Sequence, residues 1–177
     1  MKQWLYAITN ASMPNFVKIG QSENYPEALI KDFDLTGCSP SPYRLEYKVL
    51  LKDDCYHILQ NVRKALWIDQ RNVSHGWYSI SGQEAILLIH REIALFIVDR
   101  FRMDIQRHHG SYDFATLMHV MDSVIVLKAD STVTHEAMEI AKLIANIMKD
   151  DDWMLKDQWL NRVTGNNHRY ACNSWSL

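Results

Sequence analysis

Two short apolar runs, Trp4-Leu5-Tyr6-Ala7-Ile8 and Phe16-Val17-Lys18-Ile19-Gly20, flank Thr9-Asn10-Ala11-Ser12-Met13-Pro14-Asn15, a stretch of turn formers. Aromatic and β-branched runs around such punctuation predict a β-hairpin. A polar turn at 21–25 follows, and Pro26 suits the first position of a helix through Phe33. Residues 36–42 hold Gly37, Pro40 and Pro42 and break the chain. Tyr43 to Leu51 alternates as a third strand, with Leu45, Tyr47 and Val49 on one face and Arg44, Glu46 and Lys48 on the other.

Asp53 or Asp54 is positioned to cap a helix over about Cys55–Trp67, where Ile58, Leu59, Val62, Ala65 and Leu66 recur at helical spacing. Trp77-Tyr78-Ser79-Ile80 is a short strand. Ser81 and Glu84 form a capping box that opens a long helix over about Gly82–His108. Tyr112–Lys128 has two readings: helical spacing at Phe114, Leu117, Met118 and Met121, and a buried strand at Val124–Leu127. A helix from Thr134 to about Met148 is clear, Asp150-Asp151-Asp152 interrupts it, and Trp153–Val163 reads as another.

Within 177 residues this order predicts an α/β fold: one small domain over 1–92, then a helical extension over 93–177. No apolar run reaches the roughly 18–20 residues that span a bilayer, and no secretion signal is visible. Cys38, Cys55 and Cys172 are odd in number and far apart, so reduced thiols in a cytoplasmic protein are expected. The net charge of −2 is a poor footprint for strong nucleic-acid binding, but it is uneven. Ten basic and nine acidic residues run to Arg91, against nine and twelve after it, so any nucleic-acid contact is expected in the N-terminal half and from a local patch.

Metal-ligand spacing is absent. There is no C-x-x-C pair, no H-x-x-x-H and no H-E-x-x-H, and the adjacent His108-His109 point about 100° apart on a helix end. The acidic triplet reads as a solvated loop. Residues 134–163 resemble a helix-turn-helix in outline. The second helix offers only Lys156 and Arg162 as cations, so packing or dimerisation suits it better than groove reading.

The hairpin, its Asn10–Pro14 tip and the Trp77–Ile80 strand together resemble the GIY-YIG nuclease superfamily, in the branch whose second motif reads K-I-G. The resemblance covers about residues 3–92. It implies a short antiparallel sheet flanked by helices, with Tyr6 matching the first-motif tyrosine and Lys18 the second-motif lysine as catalytic positions. Gly20 would let the chain turn tightly after the strand. Gln21-Ser22 stands where the branch often has Arg-Thr, and Arg63 where it often has His. Lys18, Gln21, Ser22, Lys31 and Arg63 are the implied nucleic-acid contacts, although Lys31 points away from Leu29 on its helix.

Two positions depart from the family. Its first-helix Arg, which clamps phosphate, corresponds to Leu29, and its second-helix Glu, which holds one divalent metal, corresponds to Leu59. Leucine neither clamps a phosphate nor ligates a hard cation. Each charge-stabilising group commonly contributes roughly 10²–10³ in rate. Glu46, His57 and Gln60 are the substitutes within reach in the sequence.

Three expectations follow. The first is a degenerate GIY-YIG protein that binds nucleic acid, DNA foremost, or a protein partner, with no cofactor. The second is an active divergent DNA endonuclease using Mg²⁺ or Mn²⁺. The third is a structural module that dimerises or docks through its C-terminal helices. None involves a membrane.

Overall fold

The computed structural model describes residues 2–35, 40–69, 71–108, 114–126, 128–129 and 132–148. The hairpin forms as β1 (Gln3–Asn10) and β2 (Val17–Ser22). Asn10 fixes its tip. The backbone carbonyl accepts from Met13 N at 2.9 Å, the side-chain carbonyl accepts from Ser12 N at 2.8 Å, and the amide donates to the Ser41 carbonyl at 2.7 Å. Asparagine replaces a backbone turn in this way, and burial makes these bonds obligatory.

Helix α1 (Pro26–Leu35) follows, then β3 (Tyr43–Leu51), α2 (Cys55–Ile68), β4 (Asn72–Ser74), β5 (Trp77–Tyr78) and α3 (Gly82–His108). The five strands make one antiparallel sheet in the order β3-β1-β2-β5-β4. The chain is therefore a small α/β fold.

Residues directly opposite one another share a face. One face carries Trp4, Tyr6 and Ile8 with Ser22, Gly20 and Lys18, together with Lys48 of β3 and Trp77 of β5. α1 lies on it: Glu27 is ion-paired with Lys48, and the Phe33 and Tyr43 rings are 5.6 Å apart. The opposite face carries Leu5, Ala7, Val17, Ile19, Val49 and Tyr78, all buried. α2 and α3 cover it. Arg63 of α2 lies by the Tyr78 hydroxyl and partly offsets the rise that burial gives its pKa, and His90 of α3 is bonded to the Tyr47 hydroxyl at 2.8 Å.

Two local expectations need correction. A β-bulge opposite Ala7 and Ile8 leaves Glu46 without a strand partner, so Leu45 and Tyr47, expected on one face, fall on opposite faces. Asp54 occupies the N-cap of α2 in a left-handed conformation, φ 61°, and its side chain makes no cap bond. The capping box of α3 forms as expected, Glu84 N donating to Ser81 Oγ at 3.2 Å and Ser81 N to Glu84 Oε2 at 2.8 Å.

The buried stripe of α2 is Cys55, Ile58, Leu59, Val62 and Leu66. Burial pushes the Cys55 thiol up to about 12. The thiolate is the reactive form. Native protein is therefore expected to leave Cys55 unalkylated by iodoacetamide at neutral pH until denaturant is added. Mass mapping of the labelled peptides checks this, and rapid native labelling would mean that the N-terminus of α2 opens.

The chain divides into two compact units, 1–93 with 123–126, and 94–122 with 127–177. Both readings of the ambiguous segment hold in part. α4 (Phe114–Val124) is helical, and the residues after it pair with the end of β3. Lys52 N donates to the Val124 carbonyl at 2.7 Å, Val126 N donates to the Leu50 carbonyl at 3.3 Å, and Ile125 bridges Leu51. The second unit also holds the hairpin β6 (Lys128–Ala129) and β7 (Thr132–Val133), and α5 (His135–Ile147), which Thr134 caps by accepting from Ala137 N. Ile140, Ala141, Ile144 and Ala145 form the buried side of α5. The acidic triplet, the helix expected over Trp153–Val163 and the tail lie outside the described residues. No helix among the described residues is long and apolar enough to cross a membrane.

Candidate nucleic-acid interface

Tyr6 and Gly20 are direct partners across β1 and β2, and the tyrosine ring lies over the glycine. A Cβ at position 20 would sit 2.6 Å from Tyr6 Oη and 2.8 Å from Cζ, closer than real contacts allow. Gly20 is inside β2, and its φ is not in the left-handed region. The expected reason for this glycine, a tight turn, is thus replaced by another: the missing side chain makes room for the phenol. Burial raises the Tyr6 pKa, so the group is a neutral phenol at neutral pH.

Lys18 sits diagonally from Tyr6 on the same face. Its Nζ lies 5.6 Å from the Trp77 ring centroid and 5.9 Å from that of Phe33, and donates to the His75 carbonyl at 3.0 Å. His75 and Gly76 both adopt positive φ, which forms the turn that presents this carbonyl. Partial burial lowers the Lys18 pKa. Among the described residues no carboxylate is ion-paired with Lys18. Its charge is held by ring faces and a carbonyl dipole.

Lys48 is the direct partner of Tyr6 on the other side, in β3. Its Nζ lies 5.4 Å from the Trp4 ring centroid, and Trp4 in turn stands 5.4 Å from the Tyr25 ring. Lys48 is bonded to Glu27, whose pKa is lowered chiefly by that hydrogen bond. The carboxylate that α1 brings to this face is therefore already engaged by a cation.

The expected site residues divide between the two faces. Tyr6, Lys18 and Ser22 come together, and the Ser22 hydroxyl accepts from Asn24 N at 3.0 Å in the turn before α1. Gln21 points to the opposite face, where its Oε1 is buried with no hydrogen-bond partner in the described structure. Arg63 serves Tyr78 on that same face. Lys31 is exposed on α1. Lys48, Trp4, Tyr25, Phe33, Tyr43 and Trp77 were not among the candidates. Aromatic residues in strands read as sheet packing, and Lys48 is tied to Tyr6 only once the strand register is known.

Leu29 and Leu59, which stand where the GIY-YIG resemblance would have an Arg and a Glu, acquire a geometry. Leu29 is half-buried on α1. Leu59 is 1% exposed, in the core stripe of the helix that covers the face opposite Tyr6 and Lys18. Of the substitutes, Glu46 accepts from Thr9 Oγ1 at 2.7 Å and lies beside Arg44 and Gly82. Thr9 is the partner of Val17, so Glu46 also serves the opposite face. His57 is exposed on α2, and Gln60 on that helix is half-buried. Among the described residues, no three His, Cys, Asp or Glu side chains are grouped so as to hold a metal ion. A hard divalent ion wants carboxylate oxygen, and Leu59, which stands where the resemblance implies a metal ligand, does not fit one.

No family model matches the sequence, and no curated protein or solved structure is significantly similar to it.

Proposed function

We propose that this protein is a GIY-YIG-like scaffold that binds nucleic acid without hydrolysing it, in a cytoplasmic setting. The observation that carries the reading is Lys18, an amine beside the Tyr6 phenol that is held by aromatic rings and a carbonyl and has no carboxylate partner among the described residues. Such an amine on an aromatic face suits a phosphate-bearing chain. The loss of chemistry follows from the leucines. Phosphodiester hydrolysis needs a Lewis acid and a clamp on the developing charge, and Leu29 and Leu59 supply neither.

Tyr6 in this reading supports the face from within the sheet: the residue is buried, and its raised pKa makes it a poor base at neutral pH. The test is incubation of the full-length protein with plasmid, single-stranded DNA and RNA, in Mg²⁺ or Mn²⁺ and then in EDTA, reading binding and cleavage together. Binding that persists in EDTA, with no cut product in metal, is the expected result. Metal-dependent cutting abolished by Tyr6→Phe would replace the reading with an active endonuclease. Absence of binding at low salt would leave the protein-interaction module.

A further inference from the structure

We infer that the ligand of this face is single-stranded nucleic acid, held by base stacking more than by phosphate contacts; the inference rests on the nucleic-acid reading above. The face carries two stations at which a lysine meets aromatic rings. At one, Lys18 lies against Trp77 and Phe33, and Tyr43 stands 6.2 Å from Trp77. At the other, Lys48 lies against Trp4, whose neighbour Tyr25 is 65% exposed. Tyr6 lies between them in the sheet, diagonal to Lys18 and directly opposite Lys48, and it is buried, so a ligand meets the stations at their exposed rings and not at the phenol.

The charge inventory decides which nucleic acid such a face can hold. Duplex DNA hides its base faces and offers a protein mainly phosphates, and the affinity gained there rises with the number of phosphates neutralised. Of the two lysines that the strands bring to this face, Lys48 is already paired with Glu27, and Lys18 has no carboxylate partner among the described residues. The whole chain carries a net charge of −2. One cation neutralises about one phosphate, too little to hold a duplex. A single strand adds exposed base faces, and each base stacked on an aromatic ring strengthens binding by roughly 5- to 150-fold. Tyr25 offers an open ring, and Trp77 is half-buried.

The stations are separated along β1. Trp4 belongs to one, while Ile8 is the partner of Lys18 at the other. Four residues of strand span about 13 Å. A run of nucleotides is needed to reach both stations, and a mononucleotide reaches only one.

The test is fluorescence anisotropy with the full-length protein and labelled strands of about twelve nucleotides, within the site sizes of stacking platforms. The strands are one sequence as DNA, as RNA and as a DNA duplex, with a mononucleotide as competitor. The inference expects one or both single strands to bind at least about tenfold tighter than the duplex, and the mononucleotide to compete poorly. The DNA and RNA arms identify the sugar. Tyr25→Ala is expected to weaken single-strand binding about fivefold or more and leave duplex binding unchanged. Trp77→Ala should do the same, with its unfolding midpoint measured alongside because Trp77 pairs with Lys18 in the sheet. Equal or tighter duplex binding, or no loss on Tyr25→Ala, overturns the single-strand inference and leaves nucleic-acid binding standing. No binding to any strand at low salt overturns both.

Discussion

Leu59→Glu is expected to destabilise the protein by about 3–5 kcal/mol and to produce no Mg²⁺-dependent cleavage. On the family pattern this substitution restores the metal ligand. In this fold it buries a carboxylate in the apolar stripe of α2, between the buried Ile58 and Val62 turns, at a position 1% exposed. An unpaired charge there gives up its hydration with nothing in return, so the group takes up a proton and ceases to be a ligand. The sign of its pH dependence follows. With a folded pKa raised above the unfolded value near 4.3, the penalty is smallest below about pH 4 and grows as pH rises toward the folded pKa. Denaturant unfolding of wild type and variant at acidic and neutral pH reads this directly. A folded variant of unchanged stability that cuts DNA in Mg²⁺ would show that the metal position points to the Tyr6 face.

Gly20→Ala has the next largest expected effect, about 1–3 kcal/mol of lost stability, the range for overpacking a buried site. The added methyl falls 2.6 Å from Tyr6 Oη. Tyr6 is 6% exposed, and its strand neighbours on both sides are Gly20 and Lys48. The ring must leave its place over β2, which also alters the surface beside Lys18. A double-mutant cycle with Tyr6→Leu isolates the contact. In the Tyr6→Leu background Gly20→Ala should cost less, by a coupling energy of about 1 kcal/mol or more. Equal costs in both backgrounds would mean that the glycine is needed by the β2 backbone and not by the ring.

Much of the scaffold is legible in the sequence because the signals are local. The hairpin follows from two apolar runs around Asn10, the start of α1 from Pro26, and the start of α3 from the Ser81–Glu84 box. What escapes is non-local. The bulge opposite Ala7 and Ile8 depends on how β3 docks on β1, and this inserted residue turns Leu45 and Tyr47 to opposite faces. Asp54 looks like a side-chain cap, yet its backbone takes the left-handed turn itself.

Of the candidate site, Tyr6 and Lys18 are named by the motif spacing, and the register puts them on one face of the sheet. Gln21 fails as a companion because adjacent strand residues point to opposite faces, and Arg63 fails because α2 covers the far side of the sheet. Lys48 and the aromatic residues around the two lysines come from five separate segments. Their meeting depends on strand order and on where α1 lies, and neither is written in any one segment.

The central claim is that the Tyr6–Lys18 face binds a nucleic-acid chain, and Lys18→Gln tests it most directly. The substitution keeps a polar side chain in β2 and removes the charge that faces Trp77 and Phe33. The measurement is the affinity of wild type and Lys18→Gln for one labelled single strand across a salt series, with the unfolding midpoint recorded for each. The account predicts an unchanged midpoint, weaker binding to every sequence, and a salt slope reduced by about one phosphate contact. Identical affinity and identical slope in the two proteins would contradict it.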